Sequence, residues 1–489
     1  MAEKNFKIHS VKYNFLMNVI LKTSTFIFPL VTFPYVSRVL GPGPNGDISF
    51  AASVISYFSL IAAMGIPSYG VRKCAEYRDN PIELGKVFQE LLIINTLFTI
   101  LSYAVLVLLV QIIPQFKNDS LLIYITSITI IFSTFGVEWV YQAIEQYDYI
   151  TVRNIAFKIF AVIGMFVFVH KPSDYIVYAG ITVFGNVGSN ILNILRLPRY
   201  IPMKKYKKYN LKMHLSPIFL LFLYNATTTI FTNLDQVMLG FMSSNKEVGY
   251  YAATVKIKNI LTSVVTSLGA VMLPRVAYYL GKEDNKAFAR LIKKSFDFIF
   301  ISAIPISLFF LIEAKPIIDF LAGSQYLRAT VILQCIAPSI IFIGISSVTA
   351  WQLLIPLKLE KYTVLGAIVG AILNVILNII LIPRIGGAGA AIATTIAELG
   401  VLTTHIIVLR ELINENKFIE FIELYKVILA SIIATIVILV FNYCVTVANS
   451  LLECLLSGII YFSCYIVVLF IVKNKMIREI GKDIITRLG

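Results

Sequence analysis

Fourteen long apolar stretches dominate the chain, joined by short polar connections that are alternately rich and poor in lysine and arginine. They run approximately over residues 13–37, 46–71, 87–113, 120–141, 150–170, 175–197, 214–241, 248–274, 295–313, 325–355, 362–383, 387–409, 427–447 and 453–472. Most reach the roughly 20 residues that a helix needs to cross the hydrocarbon of a bilayer. Connections and termini on one side carry 28 Lys and Arg, and those on the other side 6. Basic connections stay in the cytoplasm, so both termini are expected there. The chain is thus expected to be an all-α integral membrane protein with about 14 transmembrane helices.

Composition excludes a soluble fold, since 58% hydrophobic and 14% charged residues leave too little polar surface to cover 489 residues. The net charge of +15 belongs to the cytoplasmic face and its contact with anionic membrane lipids, so no nucleic-acid partner is expected. Its richest block, Arg199, Lys204, Lys205, Lys207, Lys208 and Lys212, reads as a topology determinant and linker. The first apolar run contains Pro29 and Pro34 and ends at Ser37-Arg38 without a small-residue cleavage site, so it is expected to be a retained span. The five cysteines lack metal-ligand spacing and the four histidines are scattered, so neither a metal site nor a cofactor is expected.

The extracytoplasmic connections are short and the cytoplasmic ones hardly longer, which leaves no loop for a catalytic domain; an enzyme is not expected. Residues 1–197 hold spans one to six, 198–213 form the basic cytoplasmic linker, 214–409 hold spans seven to twelve, and 410–489 add two helices and a tail. A weak echo relates the two six-helix halves. Val39-Leu40-Gly41, then Gly46 and Ala51-Ala52, resembles Met238-Leu239-Gly240, then Gly249 and Ala252-Ala253. Parallel repeats of this kind place a transport path near a pseudo-symmetry axis along the membrane normal. Pro29 and Pro34 with Arg38 and Gly41 mark a bendable first helix and its turn, a candidate gate or hinge.

Charges inside the spans are the functional candidates, because each costs about 2.5–3.5 kcal/mol on the insertion scale. Eight are basic: Lys22, Arg153, Lys158, Arg196, Lys256, Lys258, Arg275 and Arg328. Four are acidic: Glu138, Asp235, Glu313 and Glu398. Arg196, Arg275 and Arg328 lie near helix ends and can snorkel. Lys22 lies roughly 15 Å of helical rise from either interface, about twice its stem's reach. The surplus of bases points to a positively charged cavity for an anionic ligand, formed by Lys22, Arg153, Lys158, Lys256 and Lys258. Asp235, Glu138 and Glu398 are either ion-coupling carboxylates or structural counter-ions, and Asp235 has Lys256 or Lys258 as its expected partner.

Several short patterns recur in order along the chain: Tyr35-Val36-Ser37-Arg38-Val39-Leu40-Gly41 with Gly46 and Phe50-Ala51; Gly65-Ile66-Pro67-Ser68-Tyr69-Gly70 with Arg72; and Glu138-Trp139 with Gln142, Glu145, Tyr149 and Arg153. The second half adds Asn233-Leu234-Asp235-Gln236-Val237-Met238-Leu239-Gly240, Leu273-Pro274-Arg275, and Asn374 and Asn378 followed by Leu381-Ile382-Pro383 and residues 386–394. With these the chain resembles the polysaccharide or oligosaccharide flippase family of the multidrug/oligosaccharidyl-lipid/polysaccharide exporter superfamily. The resemblance implies a carrier in the bacterial cytoplasmic membrane. Such a carrier moves an undecaprenyl-pyrophosphate-linked repeat unit to the outer leaflet by alternating access, for capsule, O-antigen, exopolysaccharide or teichoic acid assembly. A coupling sodium ion or proton, and other polysaccharide-assembly proteins as partners, are part of that expectation. A cation or drug exporter of the same superfamily, or a membrane-embedded assembly enzyme, is the alternative.

The charge asymmetry predicts the topology directly. In Lys207→Cys and Lys246→Cys variants, an impermeant thiol reagent added to intact cells should label position 246 and leave position 207 untouched. Labelling of position 207 from outside would invert the scheme.

Overall fold

The computed structural model describes residues 9–416 and 418–479, and every regular element among them is helical. The terminal basic residues Lys4, Lys7, Lys482 and Arg487 lie outside the described residues. Thirteen described helices are long and apolar enough to cross a membrane, and a fourteenth passes as two segments, Lys212–Thr227 and Thr232–Met242, bent by 60°. In chain order these are α1 (Val11–Leu40), α2 (Pro42–Glu76), α3 (Pro81–Ile112), α4 (Ser120–Ala143), α5 (Tyr147–Phe168), α6 (Pro172–Arg199), α7 (Lys212–Met242), α8 (Asn245–Gly281), α9 (Asn285–Ile312), α10 (Ala329–Leu354), α11 (Glu360–Ile385), α12 (Gly387–Asn416), α13 (Phe421–Cys444) and α14 (Ser450–Ile471). The all-α membrane architecture expected from the apolar runs is therefore the one found.

Helix starts follow from local chemistry. The Asn80 side chain accepts from the backbone N–H groups of Ile82 and Glu83 at the head of α3, and Asn449 does the same for Leu451 and Leu452 at the head of α14. Each cap satisfies donors that a first turn leaves without partners. Pro42 and Pro81 occupy first-turn positions, where no N–H is needed. Gly41 ends α1 and opens α2 with φ of 73°, a left-handed value that suits glycine, so the turn needs no further residue.

Four spans are interrupted: α2 at left-handed Met64 and Gly65, α4 at left-handed Val137, and α6 and α10 at the π-helical turns Phe184–Gly188 and Thr349–Leu354. With α7 bent as well, the membrane helices are less regular than a run of uniform spans. Apolar side chains facing outward, such as Ile163, Ile372 and Val440, are those expected against lipid.

By contact the chain parts into two compact units, Met1–Gly249 and Tyr250–Gly489, so that α7 falls in the first. The core of the first unit gathers Ile66, Tyr69, Phe88, Trp139, Tyr141 and Ile218. Within it Tyr69 Oη lies 2.9 Å from His214 Nδ1, and His214 Nε2 lies 3.0 Å from Glu90 Oε2; the backbone N–H of Asn210 donates to Glu90 Oε1 at 2.7 Å. This buried triad ties the end of the basic segment and the head of α7 to α2 and α3. The second unit packs Phe288, Phe296, Phe300, Ile340, Leu353 and Phe418. There Glu423 accepts from Asn474 Nδ2 at 2.9 Å, from the Lys475 N–H at 3.1 Å and from Lys426 Nζ at 2.7 Å, fastening the chain beyond α14 to α13. Burial pushes the neighbouring Glu420 carboxyl up, but Lys293 and Lys475 outweigh it and hold that carboxyl below its usual range.

The glycine echo has a structural counterpart. Gly46, in the first turn of α2, and Gly249, near the head of α8, lie against each other's backbone. A Cβ on Gly46 would fall 1.6 Å from the Asn245 carbonyl oxygen, and one on Gly249 would fall 1.9 Å from that of Pro42. Neither clash is with a side chain that can swing away. Gly249→Ala and Gly46→Ala are each expected to lower the thermal unfolding temperature of the purified protein, by the ~1–3 kcal/mol or more that overpacking costs. Gly43→Ala, where a Cβ meets nothing within 4 Å, is the control.

Candidate functional site

The first unit encloses a cavity of about 730 Å³ bounded by α2, α4, α6 and α7. Its polar lining comes as short stripes: Ser56 and Ser59 from α2, Thr126 and Thr129 from α4, Thr182 and Asn186 from α6, and Asn225, Thr229 and Asn233 from α7. Spacings of three and four place each set on one helix face. Ile48, Ile55, Leu60 and Val183 supply an apolar floor. No lining residue is charged, so the candidate bases of the sequence do not form this cavity.

Lys22, Arg153 and Lys158 sit elsewhere in the same unit, where α1 packs along α5. Lys22 is exposed on α1. Lys158 Nζ donates to Ser24 Oγ of α1 at 3.0 Å and lies 5.7 Å from the centre of the Phe28 ring. Among the described residues no carboxylate lies within ion-pair distance of either lysine. Thr151 Oγ1 donates to the Met17 carbonyl at 3.0 Å, Asn14 Nδ2 to Glu145 Oε2 at 2.9 Å, and Tyr35 Oη to the Val169 carbonyl at 2.8 Å, so α1 is held to α5 and its flanks at both ends.

Arg153 is placed differently from the free cavity cation that the sequence suggests. Its side chain is 2% exposed, and Nη2 donates to Glu138 Oε2 at 3.0 Å and to Asn154 Oδ1 at 3.1 Å. Its Nε and Nη1 have no partner among the described residues. Tyr149 stands beside two guanidinium groups, 5.7 Å from that of Arg153 and 4.1 Å from that of Arg196. A removed water shell makes such a paired charge stable only while both partners stay.

The break in α4 sets this pair. Gly136 ends the first segment, Val137 is left-handed with φ of 40°, and Glu138 opens a short second segment. The carbonyls released by the break are met from α6: Asn190 Nδ2 donates to the Phe132 oxygen at 2.9 Å and Asn193 Nδ2 to the Gly136 oxygen at 2.6 Å. Freed backbone groups in a membrane require such partners.

The remaining candidates are dispersed. Asp235 is buried in α7, next to Gln236, whose Oε1 accepts from Ser53 at 3.0 Å. Lys256 and Lys258 on α8 and Glu398 on α12 are half-buried in the second unit. Pro29 and Pro34 lie inside α1, and Arg38 Nη1 donates to the Pro34 carbonyl at 2.7 Å, closing the last turn before Gly41. What sequence reasoning missed is the uncharged cavity. Its signal was present as Ser/Thr/Asn at helical spacing, a pattern weaker than a buried charge.

Comparison with known proteins bears on family and fold. The family described as polysaccharide biosynthesis protein matches residues 11–280, more than half of the chain, and MatE matches residues 221–383. This chain belongs to the polysaccharide biosynthesis protein family. Relatives in the family include a protein of Escherichia coli (strain K12) named "Putative O-antigen transporter", 22% identical over 72% of this chain and 85% of its own. One of the same name from Shigella dysenteriae is 24% identical over 73% and 91%. Among solved structures, the lipid II flippase MurJ in an inward closed conformation superposes with a TM-score of 0.76, 19% identity, and coverage of 95% of this chain and 100% of that one. An inward-facing multidrug resistance MATE family transporter of the MOP superfamily gives 0.64, 11%, 80% and 95%. The likeness to these two shows the fold, a multi-pass arrangement of membrane helices.

Because the buried Arg153 depends on Glu138, Glu138→Gln is expected to destabilise the protein by ~3–5 kcal/mol, leaving a buried guanidinium without its counter-ion. The double variant Glu138→Gln/Arg153→Gln should recover much of that loss. Thermal unfolding of Glu138→Gln, Arg153→Gln and the double variant measures the coupling.

Proposed function

We propose that the protein flips an undecaprenyl-pyrophosphate-linked oligosaccharide repeat unit from the cytoplasmic to the outer leaflet of a bacterial cytoplasmic membrane, for capsule, O-antigen, exopolysaccharide or teichoic acid assembly. The observation that carries the reading is the pair Lys22 and Lys158, set within membrane helices with no carboxylate at ion-pair distance among the described residues. A transporter that moved cations would present acids there. Family membership and the name of the Escherichia coli and Shigella relatives support the same substrate class.

A pyrophosphate cannot cross hydrocarbon unaided, because an unpaired buried charge costs several kcal/mol even after relaxation. Lys22, Lys158 and the unspent edge of Arg153 supply counter-charge in the first unit; Lys256 and Lys258 are the second unit's own candidates for that role. The lipid tail stays in the bilayer while the headgroup site is exposed to each side in turn. With the cell interior negative, each net negative charge moved outward is favoured by about 2.3 kcal/mol per 100 mV. Asp235, Glu138 and Glu398 are the candidate carboxylates for a coupled sodium ion or proton. Both termini face the cytoplasm, where the assembly proteins that load the lipid are the natural partners.

The test is flipping in proteoliposomes. Lys22→Ala should reduce the rate about tenfold or more, the loss of one charged hydrogen bond of ~1.5–3 kcal/mol, with unfolding temperature unchanged because the side chain is exposed. Lys22→Arg should keep part of the activity. Wild-type flipping by Lys22→Ala would remove the lysine from the mechanism.

A further inference from the structure

We propose that the cavity of the first unit is a subsite for uncharged sugar units, and that Asn186 and Asn225 select which glycan is carried. This rests on the flippase reading for the source of the ligand, and goes beyond it in naming where the sugar binds and what chemistry it must have.

The cavity, about 730 Å³, falls in the roughly 300–1,000 Å³ range of small-ligand sites. Its hydroxyls have mostly spent their protons within their own helices. Ser56 donates to the Ser53 carbonyl, Thr126 to that of Leu122, Thr129 to that of Thr126 and Thr182 to that of Tyr178. Their oxygens remain acceptors. The amides of Asn186 and Asn225 take no part in any protein hydrogen bond among the described residues, and each offers two donors and an acceptor. A sugar hydroxyl both donates and accepts, so this mixture of acceptors and two-way amides meets it in either role.

Asn186 reaches the cavity from the π-helical turn Phe184–Gly188, a local widening of the helix that recurs at functional sites. Asn225, Thr229 and Asn233 form a single stripe down α7, which is bent by 60° between Thr227 and Thr232. Thus two of the four walls depart from a regular helix where they present amides. Polar residues in membrane helices commonly join neighbouring helices. Asn186 is exposed to the open space instead, and Asn225 is half-exposed.

Charge narrows the ligand. The walls hold no cation to meet a carboxylate, and the charged residues nearest in sequence to the lining are acidic, Asp47 before Ile48 and Asp235 two positions after Asn233. A uronic acid placed here would be desolvated without a partner. Neither is there an aromatic or acidic wall to attract an organic cation. The apolar floor of Ile55, Leu60 and Val183 suits the C–H faces of a neutral pyranose.

Three lipid probes test the assignment by native mass spectrometry on the full chain in detergent: undecaprenyl diphosphate, the same lipid carrying one N-acetylglucosamine, and the same lipid carrying one glucuronic acid. Wild type should bind the N-acetylglucosamine lipid at least tenfold more tightly than the other two. Asn186→Leu/Asn225→Leu should lose that preference while binding undecaprenyl diphosphate as wild type does, which also reports that the variant is folded. Should the double variant lose that binding too, the single Asn186→Ser, at an exposed position, serves in its place. A wild type without preference, or variants that retain it, would overturn the sugar subsite and leave the flippase reading standing. Failure of wild type to bind any of the three would overturn both.

Discussion

Within hydrocarbon a polar group has no water to turn to, and that deficit governs how every irregular feature of this fold is built. Where α4 breaks at Val137, asparagines of α6 cross over to the stranded carbonyls. Asn95 Nδ2 donates to the Ala62 carbonyl at 2.7 Å where α2 ends its first segment. Arg153 is buried only in company with Glu138, and Glu90 only with His214 and the Asn210 N–H. In the second unit the same need joins Asn378 to Asn374 at 3.0 Å and Gln352 to Ser295 at 2.6 Å. The bundle is therefore held by lipid-facing apolar surface on the outside and by a sparse set of completed polar contacts within.

Much of the fold was legible in the sequence because its signal is coarse and strong. An apolar run of two dozen residues has one solution in a bilayer, and the fourteen runs map onto the helices with ends displaced by a few residues. The helices extend further than the runs at several ends, as at Asn285 and Asn416, where polar residues continue the helix. The interruptions were not legible. Nothing in the residues around Val137 announces a left-handed conformation, since a β-branched residue is among the least suited to it. The π-helical turns of α6 and α10 likewise leave no mark in composition. They arise from packing against neighbours that sequence alone does not place.

The candidate site was read from charge alone. Counting buried charge found Lys22, Arg153 and Lys158, all near the α1–α5 seam, but not that one of the three is already half-neutralised. It also passed over hydroxyls and amides, because each costs little to bury and so stands out little. The result is a first unit with two distinct surfaces: a seam where charge is concentrated, and a cavity where it is excluded. The Gly46–Gly249 contact shows a different kind of legibility. There an echo too weak to prove duplication nonetheless picked out two residues that touch.

Val137 carries a consequence of its own. A valine at φ of 40° is held in a conformation that costs of order 1–3 kcal/mol, and the surrounding contacts must keep it there. The helix segment it redirects contains Glu138 and Trp139, which packs against the backbone of Gly70 so closely that a Cβ there would lie 2.5 Å from the indole. Relaxing that single residue into the right-handed region would reorient the carboxylate and the indole together. The break in α4 thus places the Glu138–Arg153 pair and the Trp139–Gly70 contact side by side behind one strained residue.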